Sequence, residues 1–90
     1  MTRPLAVVTG ASTGIGLEFA TIAAAEGYDL VVAANESLID EVAAELRDDG
    51  AAVEAVNADL ATTEGIDALL AATSGRKIDI LIANAGTGKG

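Results

Sequence analysis

The segment TGASTGIG, residues 9–16, lies between an apolar run at residues 5–8 and a helical pattern that begins at Ile15. It therefore marks the junction between a buried strand and a helix. Its three glycines indicate a backbone that approaches something closely, because glycine carries no Cβ. At a helix N-terminus, unpaired N–H groups and a partial positive charge favour an anion, so the turn predicts a phosphate-binding site. A glycine-rich connector without a ligand is the alternative.

The composition indicates one small globular domain with an aliphatic core, since 51% of the residues are hydrophobic and only 2% are aromatic. A net charge of -9 argues against nucleic acids and anionic membranes as partners, because both require clustered Lys and Arg. The sequence has no Cys and no His, which excludes disulfides, thiolate metal sites and histidine-based catalysis. We expect a cytoplasmic protein, because no apolar run is long enough for a membrane span or a signal peptide.

Apolar runs alternate with helical patterns along the whole chain. Strands are predicted at residues 5–9, 29–34, 52–56 and 78–83, and helices at about 15–26, at 38–48 and from Thr62 or Thr63 to Gly75. The predicted inward faces are Ile15, Phe19, Ile22 and Ala23 in the first helix, Leu38, Ile39, Val42, Ala43 and Leu46 in the second, and Ile66, Leu69 and Leu70 in the third. This alternation predicts right-handed crossovers and a parallel sheet covered on both faces.

The glycine spacing differs from that of two other phosphate-binding loops. The dinucleotide fingerprint G-x-G-x-x-G and the P-loop, which needs Lys and then Ser or Thr after its last Gly, both fail to match residues 10–16. A second P-loop candidate, Gly88-Lys89, is followed by Gly90 where a hydroxyl is needed.

The pattern T-G-x-x-x-G-I-G instead resembles the short-chain dehydrogenase/reductase family. Asp59-Leu60, after the third predicted strand, is similar to the family's adenine-contacting Asp and its apolar neighbour, and Asn84-Ala85-Gly86 is similar to its N-A-G motif. The resemblance implies an α/β, Rossmann-like, doubly wound parallel sheet, truncated to about four strands in the order 3-2-1-4 with three helices. Residues 1–90 would form one partial NAD(P)-binding domain. The candidate cofactor-binding residues are Gly10, Ser12, Thr13, Gly14, Ile15, Gly16, Asn35, Asp59, Leu60, Asn84, Ala85 and Gly86.

The individual roles follow from the chemistry of each residue beside this resemblance. Gly10 permits a tight turn, Gly14 a close backbone approach, and Gly16 close packing of the helix on the strand. Asp59 offers a carboxylate to the exocyclic amino group of adenine, or else forms a local turn. Asn84 bonds the cofactor ribose, or else holds neighbouring loops together.

The end of the second strand normally distinguishes NAD from NADP. An acidic side chain there bonds the ribose 2′-hydroxyl of NAD, whereas an Arg accommodates the 2′-phosphate of NADP. The family's positions for these residues fall on Ala34 and Asn35, so neither determinant is present. Asn35 can bond a hydroxyl and Glu36 would repel a phosphate, which favours NAD slightly and leaves the choice open. As an alternative, both residues only form the turn before the second helix.

The family's catalytic Tyr-x-x-x-Lys pair and its upstream Ser are not found in these residues. The one tyrosine, Tyr28, has Val32 four positions later, and it is better explained as a strand-entry residue. We therefore expect the dinucleotide-binding N-terminal portion of an NAD(P)-dependent oxidoreductase, which transfers hydride between nicotinamide and a carbonyl or alcohol, and we expect no activity from this portion alone. A non-catalytic adenine-nucleotide-binding module and an inactive truncated fragment are the alternatives. The fourth strand would lie at an open edge, which predicts self-association.

Overall fold

The structure is a computed structural model that describes residues 3–12, 14–48 and 50–83. Its strands are β1 (Leu5–Thr9), β2 (Asp29–Ala34), β3 (Val53–Asn57) and β4 (Ile80–Ala83), and its helices are α1 (Gly14–Ala25), α2 (Leu38–Arg47) and α3 (Thr63–Thr73). The strands pair in parallel in the order β3-β2-β1-β4. This architecture confirms the predicted fold class and strand order.

The two central strands are apolar on both sides because each face of the sheet is covered there. Val7 and Val8 of β1 are adjacent in sequence and point to opposite faces, yet their exposed fractions are only 1% and 0%. Their register partners in β2, Val31 and Val32, are equally buried. Continuous apolar runs therefore predicted these strands correctly.

Helices α1 and α2 pack on one face of the sheet, called here the α1/α2 face, and α3 packs on the opposite α3 face. The larger apolar cluster joins the strand residues of the α1/α2 face to the buried residues of α2, which are Ile39, Val42, Ala43 and Leu46. Four of the five predicted inward residues of α2 are thus confirmed. Leu38 is the exception, because its exposed fraction is 36%.

The predicted inward face of α1 is wrong for its three large residues. Ile15, Phe19 and Ile22 have exposed fractions of 64%, 43% and 57%. The buried residues of the helix are small, namely Gly16, Ala20, Ala23 and Ala24, and the half-buried Leu17 packs against the same cluster. Small side chains let the helix backbone lie close to the sheet, and the bulky residues one position earlier are turned aside by about 100°.

The predicted inward face of α3 is likewise displaced by one residue. Ile66 and Leu70 are exposed by 45% and 59%, whereas Leu69 packs against the apolar cluster of the α3 face. Gly65 is buried in the first turn, where a Cβ would overlap the carbonyl oxygen of Asp59. The helix therefore approaches the preceding loop through its glycine, and this contact fixes which side faces inward.

The strands β3 and β4 differ slightly from their predicted bounds, and the structure identifies the cap of α3. β3 begins and ends one residue later than predicted, and β4 begins at Ile80 rather than at Ile78. Just before β4, Asp79 makes the first contacts with β1. The Asp79 N–H donates to the carbonyl of Leu5, and the Leu5 N–H donates to Asp79 Oδ2, both at 2.9 Å. Thr62, one of the two predicted candidates, caps α3 by accepting the Gly65 N–H at 3.0 Å.

Candidate functional site

The glycine turn between β1 and α1 has two residues in the left-handed region of backbone conformation. Gly10 has φ of 63° and Gly14 has φ of 61°. Side chains with a Cβ rarely adopt such angles, so both positions require glycine for conformational reasons. A Cβ placed on Gly14 would meet no atom within 4 Å, which leaves open space beside the N-terminus of α1.

Hydrogen bonds anchor this turn to the neighbouring strand. The Ala11 N–H donates to the carbonyl of Ala33 in β2 at 3.1 Å, and Ala11 is fully buried. The Ala58 N–H in turn donates to the carbonyl of Ala34 at 3.1 Å. The segments that leave β1, β2 and β3 are therefore linked at the carboxyl edge of the sheet, where ligands of open α/β sheets bind.

The first turn of α1 differs in charge from those of the other helices. It contains no acidic residue, whereas α2 has Asp40 and Glu41 and α3 has Glu64 in the first turn. An acidic side chain at a helix N-terminus compensates the partial positive charge there. In α1 no acidic side chain of the first turn compensates this charge.

A hydrogen bond that the sequence analysis did not predict joins the glycine turn to the end of β2. Ser12, whose exposed fraction is 5%, donates from Oγ to Glu36 Oε2 at 2.5 Å. Such short O–H···O distances are typical when the acceptor is a carboxylate. The sequence separation of 24 residues concealed the contact, although both residues follow strands that the register places side by side. Glu36 therefore lies at the glycine turn, and the neighbouring Asn35 is exposed.

Asp59 forms a local turn in the loop between β3 and α3. Its Oδ1 accepts the N–H of Ala61 at 2.9 Å, and its carbonyl accepts the Thr62 N–H at 3.0 Å and the Thr62 hydroxyl at 2.7 Å. These bonds hold the exposed carboxylate beyond the end of β3. Leu60, predicted with it, is half-buried against the cluster of the α3 face.

The structure thus brings Gly10, Ser12, Gly14 and Glu36 together at one end of the sheet. Ile15 lies exposed in the first turn of α1, and Gly16 is buried beneath it. Four candidate residues lie outside the described residues, so their roles stay predictions: Thr13, Asn84, Ala85 and Gly86.

A cavity of about 680 Å³ opens at the opposite, amino end of the strands. Its lining includes Arg3, Asp29, Arg76, Lys77 and Asp79. Arg3 Nε lies 3.2 Å from Asp29 Oδ1, and Lys77 Nζ lies 4.0 Å from Asp79 Oδ1. Arg76 Nη1 lies 3.7 Å from Glu54 Oε1, so each of the three cations lies within 4.0 Å of a carboxylate of the same fold.

Two kinds of feature are absent from the described part of the chain. Its helices are too short or too polar to cross a membrane. Residues 3–12, 14–48 and 50–83 also contain no cluster of three or more His, Cys, Asp or Glu side chains that could hold a metal ion.

The parallel sheet with its glycine turn places the protein in the class of Rossmann-like α/β proteins. The family model of the short chain dehydrogenases matches residues 4–90, and the chain belongs to this family. The fold and the motif of the glycine turn thus agree with the family that the sequence predicted.

Individual relatives support the same assignment. A 3-oxoacyl-(acyl-carrier-protein) reductase of Synechocystis sp. is 39% identical over 90 residues, which is 96% of this chain and 36% of the relative. The crystal structure of L-sorbose reductase from Gluconobacter frateurii, complexed with NADPH and L-sorbose, has a TM-score of 0.88 and 40% identity, and the match covers 98% of this chain and 35% of that one. A short-chain dehydrogenase from Sphingobium yanoikuyae in complex with NADPH has a TM-score of 0.78 and 41% identity over 87% of this chain and 32% of its own.

The chain spans about a third of the length of these relatives. Members of the family are NAD(P)-dependent oxidoreductases, and the 90 residues correspond to their Rossmann-like portion.

Proposed function

We propose that this chain is the dinucleotide-binding portion of an NAD(P)-dependent oxidoreductase and that its glycine turn receives the cofactor pyrophosphate. The observation that carries the proposal is the pair of left-handed glycines, Gly10 and Gly14, at a helix N-terminus without acidic residues. Backbone N–H groups and the helix dipole favour a phosphate at such a position. Solved relatives described in complex with NADPH support the same ligand class.

The remaining candidate residues complete the proposed site. Asp59 extends beyond β3, where its carboxylate can accept a hydrogen bond from the adenine amino group. Asn84, Ala85 and Gly86 follow β4 in sequence, and β4 pairs directly with β1. We propose that Asn84 bonds the cofactor ribose or holds neighbouring loops together, and that Ala85 and Gly86 contribute through their small size.

The end of β2 supports NAD rather than NADP as the preferred cofactor. Glu36 is held at the glycine turn by Ser12, so a carboxylate occupies the region where the adenosine ribose is expected. A ribose hydroxyl can donate to this carboxylate, whereas a 2′-phosphate would be repelled by it. The described part of the chain has no Lys or Arg within ten residues of Glu36 on the N-terminal side to compensate. Two relatives are described in complex with NADPH, which favours the opposite choice, so the test compares both cofactors.

Isothermal titration with NAD, NADP and ADP tests both parts of this proposal. We expect saturable binding, with NAD bound more tightly than NADP. Glu36→Gln removes the charge and keeps an acceptor for Ser12, so it should shift the preference toward NADP by about tenfold, which equals about 1.4 kcal/mol. Glu45→Gln, an exposed acidic residue farther along α2, is the matched control and should change neither affinity.

No saturable binding of any of these ligands at millimolar concentration would contradict the proposed site. Tighter binding of NADP, unaffected by Glu36→Gln, would contradict only the preference for NAD. Addition of alcohols to the NAD mixtures should give no NADH absorbance, because Tyr28 lies at the amino end of β2 and is packed against the core. Turnover would favour an independent enzyme over a binding portion.

The edge at β4 supports one proposal about partners. Ile78, just before β4, and Leu81, within it, are exposed by 42% and 61%, and no strand of the described residues pairs with the outer side of β4. Such edges pair with other chains. We propose that the isolated chain self-associates there when nothing else covers β4.

A further inference from the structure

The cavity at the amino ends of the strands, called here the amino-end cavity, gathers most of the basic residues of an acidic chain. The sequence has 5 Lys and Arg against 14 Asp and Glu. Three of the five cations line the cavity, namely Arg3, Arg76 and Lys77, together with the carboxylates of Asp29 and Asp79. The described lining therefore holds more cations than carboxylates, although the net charge of the chain is -9.

The two carboxylates of the lining accept hydrogen bonds from backbone N–H groups. Asp79 Oδ2 accepts the N–H of Leu5 at 2.9 Å, and Asp29 Oδ1 accepts the N–H of Ala52 at 3.2 Å. Such charge-assisted bonds compensate part of the negative charge of a carboxylate. Asp29 and Asp79 therefore fix the shape of the cavity and offset its three cations only in part.

Arg3 is held in place by the backbone around it. Its guanidinium donates to the carbonyl oxygens of Gly27, Tyr28 and Gly50, at 2.9, 3.4 and 3.2 Å. Its Nε also lies 3.2 Å from Asp29 Oδ1. A cation that is already ordered costs a ligand little conformational entropy, so Arg3 supplies a fixed positive charge.

Arg76 and Lys77, in the loop between α3 and β4, are held less tightly. The Lys77 side chain is 89% exposed, and its Nζ lies 4.0 Å from Asp79 Oδ1. Arg76 Nη1 lies 3.5 Å from the carbonyl oxygen of Ala72 and 3.7 Å from Glu54 Oε1. All three distances exceed that of an ordinary hydrogen bond, and exposed ion pairs of this kind are weak. A better acceptor can therefore recruit both cations.

The amino-end cavity has room for a molecule larger than a bare ion. Its volume of about 680 Å³ lies in the range of small-molecule sites. Pro4 and Leu5 add apolar atoms to the lining. A Cβ on Gly75 would meet no atom within 4 Å, so the space beside the loop is open. The cavity can thus accept an organic group next to an anionic one.

We propose that the amino-end cavity binds a small phosphate monoester, whose phosphate contacts Arg76 and Lys77 near the fixed charge of Arg3. A phosphate monoester carries close to two negative charges near neutral pH and offers three acceptor oxygens. The fork of a guanidinium matches two of these oxygens, and an ammonium binds another as a point charge. Because attraction grows with the charge of the ligand, this lining favours a phosphate over a carboxylate.

The amino-end cavity and the glycine turn lie at opposite ends of the sheet. β1 separates them with its 5 residues, which span roughly 16 Å at a rise of about 3.3 Å per residue. One phosphate cannot contact both places. The amino-end cavity is therefore a second anion site, separate from the proposed dinucleotide site.

Titration of the isotope-labelled chain, followed by amide NMR spectra, locates the ligand. The probes are phenyl phosphate, inorganic phosphate and benzoate, at constant ionic strength so that general screening does not change. We expect saturable shifts of the amide signals of Gly75, Arg76 and Lys77. Phenyl phosphate should bind most tightly, since it has both the charge and the apolar group, and benzoate most weakly.

Variants of the loop test which cations hold the phosphate. Arg76→Gln and Lys77→Gln should each weaken the binding of phenyl phosphate by about threefold, and the double variant by about tenfold, as for the loss of partly screened charges. Arg47→Gln is the matched control, because it removes the same charge from α2, outside the lining, and it should leave the affinity unchanged. The amide spectrum of each variant shows that the fold is kept.

The proposal is overturned if the shifts do not saturate, or if Arg47→Gln weakens binding as much as Arg76→Gln and Lys77→Gln do. Tighter binding of benzoate than of phenyl phosphate would also overturn it, because the ligand would then be a carboxylate. Shifts confined to residues 9–16 would overturn it in favour of the glycine turn as the only phosphate site. A failure of the chain to bind dinucleotides would not change the shifts expected at Gly75, so the two proposals fail separately.

Discussion

The two edges of the sheet are built in opposite ways. At β3 the exposed positions carry Glu54 and Asn57, and Arg76 lies 3.7 Å from Glu54. Arg47 of α2 donates from Nε to the carbonyl of Val53 at 2.9 Å, which ties a helix to this strand. At β4 the exposed positions carry Leu81 and Ala83, in a strand of four residues. A charged edge strand disfavours pairing with other strands, whereas an apolar edge strand favours it. The β3 edge is therefore suited to solvent exposure and the β4 edge to pairing with another strand.

The helices on the α1/α2 face repeat this contrast. Helix α2, next to β3, buries one apolar face and presents acidic residues to solvent, including Asp40, Glu41 and Glu45. Helix α1, next to β1, has a buried face of Gly and Ala and a second apolar face of larger residues that is exposed. A helix that is apolar on two sides is typical of the interior of a larger structure.

Truncation of one isoleucine in each of the two helices gives the largest expected difference in stability. Ile39 of α2 is fully buried and Ile22 of α1 is 57% exposed. We expect Ile39→Ala to lower the free energy of unfolding by about 2–5 kcal/mol, because it leaves a cavity in the core. Ile22→Ala should change it by less than about 0.5 kcal/mol, as is usual for exposed positions. Urea unfolding of both variants, followed by circular dichroism at low protein concentration, measures the difference.

Equal losses for the two variants would contradict the contrast, because Ile22 would then be buried in the isolated chain. Repetition at high protein concentration separates the causes. If the loss in free energy of unfolding caused by Ile22→Ala rises with protein concentration, the exposed apolar face of α1 is buried between copies of the chain.

The strands were predictable from sequence because burial on both faces leaves a simple signal. Val7, Val8, Val31 and Val32 form unbroken apolar runs, and no polar residue interrupts them. The inward sides of α1 and α3 were predicted correctly only at Ala23 and Leu69, because each helix has two apolar stripes one residue apart. The helical period alone does not distinguish the two stripes, and the prediction favoured the stripe with the larger side chains. Gly16, predicted to allow close packing, shares its side of α1 with Ala20 and Ala23, and that row of small residues was the missed signal.

The glycine turn was predictable where the backbone itself is constrained. Gly10 was predicted to permit a tight turn and Gly14 a close backbone approach, and both have positive φ angles. The bond from Ser12 to Glu36 was not predictable from composition or periodicity, because it depends on how the turn after β1 meets the turn after β2. Only the parallel register of the two strands brings these residues together.

The contact of α3 with the loop after β3 gives a second test, with a smaller expected effect, of the packing near β3. Gly65→Ala would normally stabilise a helix by about 1 kcal/mol. Here the added Cβ overlaps the carbonyl oxygen of Asp59, so we expect a net loss of about 1–3 kcal/mol. Thermal unfolding should show a lower Tm for this variant. Asp67→Ala, at an exposed position of the same helix, should leave the Tm unchanged or raise it slightly.

The cap of α3 gives the smallest expected effect on the same side of the molecule. Thr62 accepts the Gly65 N–H at 3.0 Å, whereas the adjacent Thr63 is the first residue of the helix. Thr62→Ala should lower the free energy of unfolding by about 1 kcal/mol, because a backbone donor loses its partner. Thr63→Ala removes the same hydroxyl and methyl groups one position later and should cost much less. If both variants are equally stable in chemical denaturation, the cap does not stabilise the first turn of α3. The packing of Gly65 against Asp59 would then hold this turn in place.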